Sequence, residues 1–191
     1  RGHSVGLISR GQPFTMAYWE EAVVQHGYGS KTRYRAFEWL PGGEEFIVIN
    51  DLSGYERLEL HKADQSAEPE YVTDDDIGRT IEMAVSPVGK KVAISNHRHE
   101  VIIVDIEAKT VKTFDRAPAD RITGLSWSPD GRWIAYSYSG QPNTHHIRVG
   151  DTTSGDIKDV TRPLRHDFDP AWDPEGKYLY FLATREFNPI H

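Results

Sequence analysis

Short apolar runs recur along the chain in a fixed order, separated by turn residues. Four times an apolar anchor is followed by x-Pro-x-Gly: Trp39-Leu40-Pro41-Gly42-Gly43, Val85-Ser86-Pro87-Val88-Gly89, Trp127-Ser128-Pro129-Asp130-Gly131 and Trp172-Asp173-Pro174-Glu175-Gly176. The prolines are spaced by 46, 42 and 45 residues. That period suits either the blades of a β-propeller or helical repeats of the HEAT type. Five to seven residues after each proline come Phe46-Ile47-Val48, Val92-Ala93-Ile94, Ile134-Ala135-Tyr136 and Leu179-Tyr180-Phe181. These are β-branched and aromatic runs bounded by turn residues, with no 3.6-residue periodicity around them, so they predict strands. In Ser128-Pro129-Asp130-Gly131 the proline presets φ at the second position of a type I turn, which makes it a hairpin connection.

Further strand signals complete each repeat. Third strands are predicted at 57–60, 101–104 and 147–149, and fourth strands at 71–73, 111–114 and 157–160. Four antiparallel strands per repeat define a propeller blade. The predicted fold is therefore all-β, a partial β-propeller of about four to five blades. Blades are expected at 33–73, 79–115 and 121–161, with partial blades at 1–30 and 167–191. In the first partial blade, Ser4–Ser9 reads as a second strand, with third and fourth strands near 14–18 and 20–26. An open arc leaves apolar faces and strand edges uncovered, so the natural protein is expected to be longer, or closed by partner chains.

Composition narrows the chemistry. With 38% hydrophobic and 11% aromatic residues, this 191-residue chain can fill a core. The absence of cysteine excludes disulfides, thiolate zinc sites and thiol nucleophiles. A formal charge of −7 argues against a general nucleic-acid binder. No apolar run approaches the ~20 residues of a membrane-spanning helix. The Gly-x-Ser-x-Gly elbow, the phosphate-binding loop and His-Glu-x-x-His are all missing, so this segment itself reads as non-catalytic. His97 with His99, and His145 with His146, offer imidazoles, but a zinc site needs three or four convergent ligands, and solvated histidines are the plainer reading. The run Asp74-Asp75-Asp76 lacks the alternating ligand spacing of a calcium loop and reads as a solvated link between blades. Neither a metal nor a cofactor is expected. Recurrence of Trp39, Trp127 and Trp172 at one repeat position points to packing between blades.

One recurring feature has a chemical reading. Eight residues before each repeat proline stand Arg33, Arg79, Arg121 and His166. The first strand of a blade borders the central channel, so these positions predict an arc of positive charge near one mouth. Arginine makes bidentate contacts with carboxylates, and such an arc would steer peptide C-termini or acidic side chains. The alternative is a set of inter-blade ion pairs with carboxylates such as Glu82 or Asp169.

Several segments resemble the seven-bladed propeller of the tricorn protease family: Leu7–Phe14, Asn96–Asp105, Ser137–Gly140, His166–Trp172 and Leu179–Arg185. Their order and spacing are similar over nearly the whole chain. The resemblance implies a cytoplasmic, multidomain serine peptidase that degrades short peptides, with its catalytic groups in separate C-terminal domains and the propeller acting as a sieve. Nothing here matches the catalytic serine, histidine or acidic residue of that family. The expected partners are peptide substrates, the remaining domains of the parent, and further copies in a homo-oligomer, with neither nucleic acid nor membrane among them. A TolB-like protein-binding scaffold and the propeller cap of a prolyl-oligopeptidase-type hydrolase are the alternative roles.

Overall fold

The computed structural model describes residues 4–17, 22–29, 32–163 and 166–184. It holds seventeen strands and no helix among the described residues. A three-stranded sheet of β1 (Ser4–Ser9), β2 (Gln12–Ala17) and β3 (Val24–Gln25) comes first. Three four-stranded sheets follow in strict sequence order. They are β4 (Tyr34–Trp39), β5 (Glu45–Asn50), β6 (Arg57–Lys62) and β7 (Glu70–Tyr71); β8 (Thr80–Val85), β9 (Lys91–Asn96), β10 (Glu100–Asp105) and β11 (Thr110–Arg116); and β12 (Thr123–Trp127), β13 (Trp133–Tyr138), β14 (His146–Asp151) and β15 (Ile157–Asp159). The pair β16 (His166–Trp172) and β17 (Leu179–Thr184) closes the series. All the ladders joining these strands are antiparallel.

The repeat motif makes the first hairpin of each blade. Gly131 N–H donates to Ser128 O at 2.9 Å, Gly43 N–H to Leu40 O at 3.1 Å and Gly176 N–H to Asp173 O at 3.0 Å. Gly131 sits at φ 68°, where a side chain is strained, and a Cβ there would lie 2.7 Å from Ser86 Oγ of the preceding blade. The turns of successive blades therefore stack on one another.

Alternation along the strands explains how blades join. In β9 and β10, Val92, Ile94, Ile102 and Val104 pack with Ile47, Ile49 and Leu58 of the preceding blade. The intervening Ala93, Val101 and Ile103 pack with Ile134, Tyr136 and Trp127 of the following one. Both faces of each middle strand are thus buried between blades, which is why these strands read as unbroken apolar runs. Each fully buried Ile or Val contributes about 1.5–3 kcal/mol relative to exposure. The fourth strand β11, by contrast, holds only exposed and half-buried residues.

Neighbouring blades meet mainly through their first strands, β4 against β8, β8 against β12 and β12 against β16. The blades converge on that side, and the fourth strands lie outermost. Three first strands carry a bulge five residues before the repeat proline, at Ala36 (φ 52°), Gly124 (φ 69°) and Asp169 (φ 50°).

Candidate functional site

The converging first strands place the recurrent cations at one end of the blades. Arg33 and Arg79 each directly precede a first strand, Arg121 lies two residues before β12, and His166 is the first residue of β16. All four are exposed. Among the described residues, none of the three guanidinium groups forms an ion pair. Glu82, one carboxylate expected to pair with them, instead accepts the Gly124 and Leu125 N–H groups of the next blade, at 2.7 and 3.3 Å.

The structure brings two of the four together, Arg33 and Arg79, and sets His166 against His145. Arg33 and Arg79, from adjacent blades, line one cleft of about 220 Å³ with Arg35, Asn50, Asp51 and Glu56. Arg33 is held from behind: its stem lies 3.2 Å from where a Cβ on Gly11 would stand, and the next residue, Tyr34, donates its N–H to Gly11 O at 2.8 Å. Its own N–H donates to Asp51 Oδ1 at 3.3 Å. Arg79 is fixed through its backbone, donating N–H to His97 Nδ1 and accepting His97 N–H, both at 2.9 Å. Beside it, Thr80 is gripped by the preceding blade. Arg35 Nη2 donates to Thr80 O at 2.6 Å, Thr80 N–H donates to Glu56 Oε2 at 2.6 Å, and Arg35 and Glu56 are themselves ion-paired.

At the second pair, His166 Nδ1 and His145 Nδ1 are 3.1 Å apart, and a parallel bridge with Asp167 N–H donating to His145 O at 3.0 Å fixes both backbones. His145 Nε2 stands 3.9 Å from Asp120, the neighbour of Arg121. Burial and the facing His166 ring hold the His145 imidazole below its usual value, with Asp120 opposing them.

The remaining sequence candidates separate. His146 is buried and faces Asp159 at 3.0 Å, not His145. His97 serves the backbone of Arg79, while His99 occupies a turn at φ 61°. Asp74 and Asp76 pair with Arg57 and Arg98 at 3.0 and 2.6 Å. Among the described residues there is no group of three or more His, Asp or Glu arranged to hold a metal ion. The Trp127 indole N–H donates to Ala84 O of the preceding blade at 2.9 Å, so this tryptophan packs between blades.

The site therefore consists of cations presented at the inner ends of radially packed four-stranded sheets, and the class of protein this defines is the β-propeller. The chain belongs to the tricorn protease family: the family model described as the tricorn protease second beta propeller domain matches residues 1–191. A putative tricorn-like protease C-terminal subunit of Sulfurisphaera tokodaii is 34% identical over 98% of this chain and 21% of its own length. A tricorn protease homolog of Saccharolobus solfataricus is 34% identical over 100% of this chain and 17% of its own. The chain thus spans about a fifth of these relatives. It is similar to a crystal structure of the tricorn protease with a TM-score of 0.87 at 25% identity, over 99% of this chain and 19% of that one. A putative TolB from Agrobacterium tumefaciens shares the fold, with a TM-score of 0.69 at 19% identity over 96% of this chain and 66% of that one.

Proposed function

We propose that this propeller is a non-catalytic module of a tricorn-like serine peptidase in the cytoplasm, guiding peptide substrates toward a catalytic domain elsewhere in a homo-oligomeric parent. The observation that carries the reading is the row of exposed side chains at the inner ends of the first strands: Arg33, Arg79 and Arg121, which form no ion pair among the described residues, with His166 at the equivalent position. A charged rim around a passage of low dielectric raises the local concentration of oppositely charged ligands and their capture rate by about 10–1000-fold. Peptides carrying a terminal or side-chain carboxylate are the natural beneficiaries.

The test is charge reversal in the longest natural polypeptide that carries this chain. Arg33→Glu, Arg79→Glu and Arg121→Glu, combined, are expected to lower kcat/KM for glutamate-rich peptides about tenfold or more while sparing lysine-rich ones. An unchanged ratio between the two peptide classes would refute the guidance role.

A further inference from the structure

The cleft between Arg33 and Arg79 is shared by two blades and framed on both sides by backbone hydrogen bonds. Two arginines from adjacent blades, Arg33 and Arg79, line one space of about 220 Å³. The carboxylates that also line it are already engaged. Glu56 is ion-paired to Arg35 and accepts the Thr80 N–H, and Asp51 accepts the Arg33 N–H. Asp51 and Glu56 offset part of the positive charge, but the guanidinium groups of Arg33, Arg35 and Arg79 outnumber them, so an anion beside Arg33 and Arg79 completes the balance. Guanidinium presents its donors in a flat fork that matches a carboxylate.

The frame is what makes this cleft a site. Arg35 and Glu56 grip the carbonyl and the N–H of Thr80 from the neighbouring blade, so the residue after Arg79 is tied to the blade that bears Arg33. His97 holds both backbone groups of Arg79 from its own blade. The spacing of the two arginines is therefore set by the blade seam, and a bound anion has little backbone left to order.

We propose that the Arg33–Arg79 cleft is a carboxylate-binding site, clamping one peptide carboxylate between two blades, with Arg35 and Glu56 as positioning residues. This deepens the guidance reading and rests on it only for the choice of a peptide as bearer of the carboxylate.

Arginine-specific dicarbonyl labelling of the longest natural polypeptide, read residue by residue by mass spectrometry, tests the site without any substitution. The probes are the hydrolysis-resistant N-acetyl-tri-D-alanine with a free C-terminus, its C-terminal amide, and an amidated D-tripeptide with a central D-glutamate. The free carboxylate is expected to slow labelling of Arg33 and Arg79 at least fivefold, and of Arg121 less than twofold. The amide should protect neither. Protection by the D-glutamate peptide at the same two residues supports the site and adds a side-chain source, while its absence supports the site for chain ends alone. In Arg33→Gln the protection of Arg79 should disappear. In Glu56→Gln it should weaken while the labelling rate of unliganded Arg79 rises, as expected when its frame loosens. Equal labelling of Arg33, Arg79 and Arg121 with and without carboxylate, or equal protection by the amide, overturns the proposal. If protection is found but the charge-reversal variants leave peptide discrimination unchanged, the cleft stands and the guidance reading falls. If discrimination is lost without protection, the guidance reading stands and the cleft falls.

Discussion

At the scale of single residues, the seam between the first two blades concentrates buried polar groups. His26 is 4% exposed, shares a 2.8 Å hydrogen bond with Thr15 Oγ1, and stands edge-on to Phe46 and to His61. His61 in turn faces the fully buried Glu59 at 3.3 Å. Burial first, and the neighbouring His61 second, push the His26 imidazole from its usual 6.5 down to about 4. The folded value lies below the unfolded one, so the neutral ring's full contribution is present above pH 6.5 and is lost as pH falls toward 4. Opening of this seam should accordingly become about tenfold more favourable for each pH unit lost inside that window. Hydrogen exchange of the β2 and β3 amides, corrected for intrinsic rates, measures it. His26→Gln should abolish that pH dependence, and a flat wild-type profile would show that the ring is already charged in the folded state.

At the scale of elements, the blade seam is stitched where a repeat position reaches across. Trp127 of β12 is 8% exposed and donates its indole N–H to Ala84 O of β8. Trp127→Phe keeps most of the apolar contact but leaves a carbonyl without its donor, which costs about 1–3 kcal/mol. Trp133, half-buried beneath Arg132 at 5.0 Å, serves as the control, and Trp133→Phe is expected within about 0.5 kcal/mol of wild type in thermal or denaturant unfolding. The seam position of Trp127 was legible in the sequence because the repeat stamps it at a constant offset from the proline, whereas Trp39 at the equivalent offset stands edge-on to Phe37 and Phe46 of its own blade. The middle strands were legible for a related reason, since burial on both faces leaves an unbroken apolar run. Other features carried no local mark. The bulge at Ala36 places in left-handed conformation a residue with no intrinsic preference for it, and only its ladder demands it; Asp169, which tolerates that conformation better, takes it at the equivalent place. Glu82 looked like a partner for arginine, yet its carboxylate serves backbone amides that a bulge in the next blade exposes. The contact of His145 with His166 joins residues 21 positions apart across a blade boundary, so no spacing within one repeat could announce it. Outer strands are short where little is buried: β7 keeps two residues against the run 71–73 expected from the sequence, and β3 holds two of the expected run 20–26, of which 20 and 21 lie outside the described residues.

At the scale of the whole molecule, two charges of opposite sign act at different ranges. The chain carries a formal charge of −7, which opposes the approach of acidic peptides at a distance, while on the proposed guidance reading Arg33, Arg79 and Arg121 would attract them close to the inner strand ends. Salt screens both, though not equally. The Debye length falls from about 30 Å at 0.01 M to about 10 Å at 0.1 M and about 3 Å at 1 M. Long-range repulsion is therefore lost first, whereas attraction over the few ångströms of a bidentate contact survives until higher salt. The selectivity of the intact protein for glutamate-rich over lysine-rich peptides should accordingly rise between 0.01 and 0.1 M salt and decline toward 1 M, giving a maximum in place of a monotonic fall. Competition kinetics with a mixed pair of peptides across that salt series would show it. A steady fall from the lowest salt would mean that the cationic arc, and not the net charge of this chain, already governs at long range. A steady rise would mean that repulsion dominates throughout and that the arginines do not engage the peptide at all.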